Sequence, residues 1–501
     1  MPTIIEEIRT LFKEHSNASV CSVEKLPQSG SDRFYYRVLC RNEESNESFS
    51  CIATHGHNIK ENNTFIHFSR HFKNSGSPVP DIYVVNEEGS IYLQQDFGDD
   101  TLLSKLEENG QDDYVYSLYQ KSLKALAKLQ VKEEENFDYN WCITSKEFGK
   151  QAILNDLLYF KYYFLDTLKI PYDKESLIND FEALSNYLAY VDHKYFMFRD
   201  FQSRNIMIKN DEVYFIDYQG GMKGALQYDV ASLLWQARAN LSDEWKESLL
   251  EYYMDCVDEL LPKPIDRNRF VTQYNGYVLI RMLQVLGAYG FRGLFERKSH
   301  FLTSIPLALK NLKWFINNKN LGISLTEFDH LLKVIVEDDV VNRFQTKMAT
   351  ASTPLVVRIS SFSYLQSGYP KDPSKNGGGF VFDCRGILNP GRIDEYKSMT
   401  GRDKNVKDYL EQQTRMTEFL ISAFNVVDIA VEDYINRDFV SLSVNFGCTG
   451  GRHRSVYAVD ALARHLRNKY GVKTEVSHLE QNIFEVKESP YSTNGINKSS
   501  H

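Results

Sequence analysis

The chain has 501 residues, too many for one ordinary hydrophobic core, so two or more domains are expected. Hydrophobic residues make up 42% and charged residues 25%, a globular composition that excludes a disordered or fibrous chain. The net charge of -9 excludes a protein built chiefly to coat nucleic acid, because phosphate binding needs a positive surface field, although a local basic pocket stays open.

The first segment, MPTIIEEIRTLFKEH, lacks the basic head and apolar run of a signal peptide and predicts an amphipathic helix with Ile4, Ile5, Ile8, Leu11 and Phe12 inward. FYYRVLCR and SFSCIATH follow as strands across the turn-prone NEESNE. NTFIHFSRHFKNSG, with Phe65, Phe68 and Phe72 at helical spacing and a glycine stop, predicts the next helix. DIYVVNEEGSIYLQQDFG predicts a hairpin turning at Glu88-Gly89. From Thr101 to about Ile335 long helical stretches dominate, broken by one strand-rich block between Tyr195 and Tyr218. The apolar stretch from Gly276 contains Arg281 and is short for a bilayer, so no membrane span is expected. Residues 341–354, polar and small with a final proline, are expected as a linker. Strands and helices then alternate to Val486, and the tail 487–501 is expected to be disordered. The seven cysteines are scattered, with no CxxC pair, which suits a reducing, cytoplasmic setting and indicates neither a disulfide framework nor a zinc site.

The densest chemistry lies in FRDFQSRNIMIKNDEVYFIDYQGGMKGALQYDVASLLW. Phosphoryl transfer needs a carboxylate at the acceptor hydroxyl and metal ligands between the phosphates, since the work is positioning and charge neutralisation. Asp200 suits the first role. Asn205, on the same loop, and Asp217, at a strand end, suit Mg²⁺ coordination. Asp229 is expected to brace the loop. Upstream, Ser29, Gly30 and Ser31 in QSGSDRFYYRV are candidates to fold backbone N–H groups over ATP phosphates. Gln94 to Gly98, with Gln94 and Asp96, is the expected hinge beside adenine. Thr54 stands where a protein kinase places its phosphate-binding lysine, which leaves Lys60 as another source of that charge.

This set resembles the aminoglycoside-phosphotransferase and choline-kinase superfamily, whose pattern is HxDxxxxN followed by an (I/L)D pair. The histidine of that pattern is replaced by Phe198, an aromatic for an apolar slot. SGSDRFYYRV, LQQDFGDDTL and RDFQSRNIM look most like bacterial anomeric amino-sugar kinases. The resemblance covers about residues 10–320 and implies a bilobal α+β kinase-like domain over 1–340, with a small lobe to about 98 and a helical large lobe beyond. It also implies ATP and Mg²⁺ as cofactors and a sugar or amino-sugar hydroxyl as acceptor.

A second pattern, VSLSVNFGCTGGRHRSVYAVDALARHLRNKY, runs an apolar strand into a loop with Gly447, Gly450 and Gly451 and then into a helix near Ser455. Backbone N–H groups at such a start make an anion site. Together with DxRxxxNP from Asp383, TGxDxxV from Thr400 and GCTGGxHRSV, it resembles the C-terminal domain of the RNase adapter RapZ over about residues 355–485. The resemblance implies a smaller α/β domain, 355–486, with a glycine-rich strand-loop-helix anion site. It further implies an amino-sugar phosphate held by Thr449, Gly450, Gly451, His453 and Arg454, with Arg385 facing them. Arg452 is expected to point to solvent. Cys448 to Ser455 also spells CxxGxxRS, close to the phosphate loop of cysteine phosphatases, in which a thiolate attacks phosphorus. Two functions stay open: a small-molecule kinase with a phosphosugar-binding domain, or a non-catalytic phosphosugar sensor acting through an RNA or protein partner.

Overall fold

The computed structural model describes residues 3–27, 33–42, 45–295, 302, 304–344, 348–372, 374 and 379–488. The loop residues Ser29, Gly30 and Ser31 and nearly all of the tail lie outside the described residues. The chain divides into two compact units, Met1–Arg343 and Phe344–His501.

The first unit opens with α1 (Ile4–His15), started by a reciprocal capping box between Thr3 and Glu6. Ile8, Leu11 and Phe12 are buried with Tyr36, Val38 and Cys40 of the adjacent sheet. Ile5 is 41% exposed, contrary to expectation, because helical spacing turns it off that stripe. The sheet comprises β1 (Ser19–Lys25), β2 (Phe34–Arg41), β3 (Ser48–His55), β4 (Ile82–Val85) and β5 (Ile91–Gln95), in the order β1-β2-β3-β5-β4. All its pairings are antiparallel. Between β3 and β4 runs α2 (Ile59–Asn74), which buries Phe65, Phe68 and Phe72. The β4–β5 turn carries Gly89 at φ +71, a left-handed position that favours glycine.

The large lobe adds α3 (Leu102–Asn109), α4 (Asp113–Lys128), α5 (Lys150–Phe160), the single turn α6 (Asp166–Leu168) and α7 (Lys174–Ala189). Next come two short antiparallel pairs, β6 (Lys194–Met197) with β9 (Met222–Ala225), and between them the hairpin of β7 (Ile206–Lys209) with β8 (Glu212–Phe215). Then follow α8 (Leu226–Leu234), α9 (Asp243–Leu260), α10 (Arg267–Tyr289), α11 (Ile305–Asn318), α12 (Thr326–Ile335) and α13 (Asp338–Asn342). The helical stretch Arg267–Phe295 is long and apolar enough to cross a bilayer by composition, yet α10 packs on α5 and α8 within this unit.

In the second unit β10 (Val356–Ser363), β11 (Phe380–Asp383), β12 (Ser441–Cys448), β13 (Lys473–His478) and β14 (Ile483–Lys487) form a sheet ordered β11-β12-β10-β13-β14. It is parallel except for β14. Among the described residues three α-helices complete it: α14 (Lys404–Gln413), α15 (Met416–Asn436) and α16 (Arg454–Tyr470). The connection between units is shorter than residues 341–354. Asn342 ends α13, while Ala349 is buried in the second unit's core and its N–H bonds to the Tyr470 carbonyl at 2.7 Å.

Candidate functional site

Strand β6 delivers the chain into a loop held from beneath. Phe198 is buried against the rings of Phe196, Phe201, Phe215 and Tyr218, so an aromatic plug fills the slot. Asp229 of α8 accepts the N–H groups of Phe198 at 2.7 Å and Arg199 at 3.2 Å. Complete burial pushes its carboxyl up to about 7, against the pull of those two N–H groups. Arg199 takes φ +75, a strained conformation for a side-chain-bearing residue. Its guanidinium is pinned by Asp156 at 2.8 and 3.1 Å and lies over the Phe148 ring.

This bracing presents Asp200 to a cavity of about 1850 Å³ shared with Asn205 and Asp217. Asn205 donates from one amide nitrogen to the Asp200 carbonyl at 2.9 Å and to the Asp217 carboxylate at 3.3 Å. Asp217 also accepts Gln219 Nε2 at 3.0 Å and itself sits at φ +65. Arg281, buried on α10, donates to Asp200 Oδ1 at 2.9 Å. Burial pushes the Asp200 carboxyl up, but Arg281, Arg204 and Arg199 outweigh it and hold the group below the usual carboxylate range. Asp217 goes the other way, raised by burial and by the charge of Asp200. Two nearby carboxylates with one strongly compensated leave a need for positive charge at the other. Asp217 and the amide oxygen of Asn205 form a hard oxygen donor pair that fits a divalent cation.

Several nucleotide-side expectations change. Gln94 of β5 lines the cavity. Asp96 lines it too, and its carboxylate accepts from Arg37 at 2.7 and 3.2 Å and from the Gly98 N–H at 2.8 Å, which braces the hinge to β2. Lys60 is exposed, lies outside the cavity lining and donates to the Ile143 carbonyl at 2.7 Å. Sequence reasoning missed Arg281, noted only as an interruption of an apolar stretch. A lone arginine in a buried helix was the available signal, since such a charge needs a partner.

In the second unit β12 runs into the glycine loop and α16, whose first turn receives no side-chain cap. Gly451 takes φ +59, and a Cβ there would meet Ser363 N at 3.0 Å, so the loop closes tightly on β10. Around Gly450 there is open space. Thr449 receives Ser363 Oγ on its carbonyl at 2.7 Å. The charged residues behave unexpectedly. Arg454 is buried and donates Nη1 to the carbonyls of Cys384, Arg385 and Ile387 at 3.3, 3.2 and 2.7 Å, so it clamps the turn after β11. Its Nη2 reaches Thr449 Oγ1 at 3.4 Å. His453 donates Nε2–H to the Tyr396 carbonyl at 2.9 Å, and burial lowers its pKa. Arg385 folds back on Asp383 at 2.6 Å and lies over the Tyr364 ring at 4.1 Å. Arg452 is exposed, as expected, and from the surface it donates Nε to the Met399 carbonyl at 3.0 Å and Nη2 to that of Ser398. Cys448 is buried, with Sγ 3.2 Å from Ser455 Oγ.

The fold and these loops define a kinase-like α+β domain followed by a smaller α/β domain. Residues 23–261 match the model of the phosphotransferase enzyme family, and residues 355–482 match the RapZ C-terminal domain. The first segment is thus an aminoglycoside-phosphotransferase-type domain and the second a RapZ C-terminal-type domain. Similar curated proteins include a nucleotide-binding protein of Xylella fastidiosa, 38% identical over 138 residues, covering 26% of this chain and 43% of that one. Another, from Thermosipho africanus, is 32% identical over 157 residues, covering 30% and 54%. The chain thus spans about half the length of the curated relatives it matches. Among solved structures, a choline kinase of Cryptosporidium parvum Iowa II is 13% identical with TM-score 0.45, covering 66% of this chain and 99% of that one. A Plasmodium vivax ethanolamine kinase is 15% identical with TM-score 0.41, covering 60% and 84%.

Proposed function

We propose that the first unit transfers the γ-phosphoryl group of ATP to a hydroxyl of a sugar or amino sugar, and that the second binds a phosphorylated sugar. The observation that carries this reading is the convergence of Asp200, Asn205 and Asp217, tied through one amide nitrogen, on a large cavity. Asp200 orients the acceptor hydroxyl and takes its proton as the new O–P bond forms and the β–γ bridge breaks. Because Arg281 holds that carboxylate in its ionised form, it is ready to accept at neutral pH, and its first contribution is orientation. Asp217 and Asn205 would hold Mg²⁺, which would supply charge neutralisation at the phosphate oxygens when bound. Gln94, on the cavity wall, is assigned to the adenine end.

For the second unit, the uncapped start of α16 and the open space at Gly450 support binding of the phosphate by backbone N–H groups from Thr449 to the first helical turn. His453 and Arg454 shape that loop from behind, through the carbonyls of Tyr396 and of residues 384–387. The test is a screen of ATP consumption against amino sugars, nucleosides and choline, with a parallel titration of the full chain by a hexosamine phosphate and by the free sugar. Turnover with an amino sugar and preference for the phosphorylated form are expected. Nucleotide binding with no turnover on any acceptor would favour the non-catalytic sensor, acting through an RNA or protein partner.

A further inference from the structure

A kinase-type site holds the phosphates of its nucleotide with a cation, and in protein kinases that cation is a lysine on the third strand, paired with a helix glutamate. Here the third strand, β3, offers Thr54, which is fully buried and does not reach the cavity wall. The glutamate partner is nonetheless present. Glu61, in the first turn of α2, lines the cavity and carries an ion pair to Arg33 at 2.9 Å.

Strand geometry explains how Arg33 gets there. Tyr35 of β2 sits directly opposite Thr54 in the antiparallel register, and residues two apart along a strand share a face. Arg33, two positions before Tyr35, therefore projects on the face that Thr54 occupies, but its longer side chain extends past the strand to α2. Both Arg33 and Tyr35 line the cavity, as does Ile52, on the same face of β3 as Thr54. The pairing continues into the metal-ligand end of the site: Gln219 Nε2 donates to Glu61 Oε1 at 3.4 Å and to Asp217 Oδ1 at 3.0 Å. Arg33, Glu61, Gln219 and Asp217 are thus one connected row along the cavity wall. The Arg33 side chain is only 5% exposed, and a charge so placed is retained only where partners compensate it.

We infer that Arg33, positioned by Glu61, is the cation that grips the phosphates of the bound nucleotide in this protein, a role moved from β3 to the start of β2. The inference rests on the proposed phosphotransferase reading. An arginine there presents a planar fork that matches phosphate oxygens bidentately, which a lysine cannot do.

The experiment is a calorimetric titration of the full chain with ATP and, separately, with adenosine, both in the presence of Mg²⁺. Arg33→Gln, which keeps a hydrogen-bond donor for Glu61 but removes the charge, should weaken ATP binding about 10- to 100-fold and leave adenosine affinity unchanged. Arg33→Ala should do the same, and adding Thr54→Lys to it should restore part of the ATP affinity by returning a cation to β3. Unchanged ATP affinity in both single variants would overturn the inference. Equal loss of ATP and adenosine would also overturn it, because Arg33 would then only hold the fold. If the unaltered chain binds adenosine but gains nothing from the phosphates of ATP, the phosphate grip is absent altogether. If it binds neither, the phosphotransferase reading itself fails before any variant is compared.

Discussion

The catalytic-type loop of the first unit and the glycine loop of the second both gather arginines, and the arginines are used in opposite ways. In the first unit Arg281 and Arg33 meet carboxylates, Asp200 and Glu61, on the wall of an open cavity. In the second, Arg454 and Arg452 give their donors to main-chain carbonyls of residues 384–387 and 398–399. A guanidinium bonded to carbonyls cross-links loops and is already committed, whereas one paired with a carboxylate at a cavity wall tunes a reactive group. The difference teaches that an arginine inside an anion-binding motif does not by that fact touch the anion. The phosphate contact proposed for the second unit therefore falls to its backbone N–H groups.

The largest effect expected on the first side of this contrast is from Asp200→Asn. Phosphoryl transfer should fall by about a hundredfold or more while ATP still binds, since the proton acceptor goes and the metal ligands stay. Single-turnover kinetics with a parallel nucleotide titration measure both, and normal turnover would remove Asp200 from the reaction.

On the second side, Arg454→Ala should cost the second unit about 3 kcal/mol, because the buried carbonyls of the 384–387 turn lose their charge-assisted partner. Denaturant unfolding followed by hydrogen exchange at Ile387 and its neighbours tests this. If stability holds while hexosamine-phosphate affinity drops one to two decades, the guanidinium leaves the carbonyls for the ligand and the contrast between the two loops collapses.

A finer test separates tuning from scaffolding. Arg281 lowers the Asp200 carboxyl against its burial, so Arg281→Gln should raise that pKa. The acid limb of the kcat/KM profile should then move to higher pH, because more of the base is protonated at a given pH. A uniform loss of rate with an unmoved limb would mark Arg281 as packing alone.

The smallest effect belongs to Cys448→Ser. The thiol is buried against Ser455, so hexosamine-phosphate binding should be unchanged within error. A phosphatase activity that disappears in this variant would instead install Cys448 as a nucleophile.

What could be read without tertiary structure was whatever a few neighbouring residues specify. The order Asp200, Asn205, Asp217 sits on one loop and hairpin, and Gly450 and Gly451 of the second motif lie between a strand and a helix, whereas Gly447 is still paired within β12. The Phe65, Phe68 and Phe72 stripe was legible for the same reason. Tertiary structure decided the rest. Arg281 meets Asp200 across 81 positions, Arg454 reaches Ile387 across 67, and Lys60 is drawn to Ile143 across 83. Ala349 joined the second core instead of a linker, and Asp96, on the cavity wall, pairs with Arg37 across the sheet. A long cationic side chain can reach partners in any direction, and its motif does not encode which one lies nearest. That choice is made only when packing brings distant carbonyls and carboxylates within hydrogen-bond range.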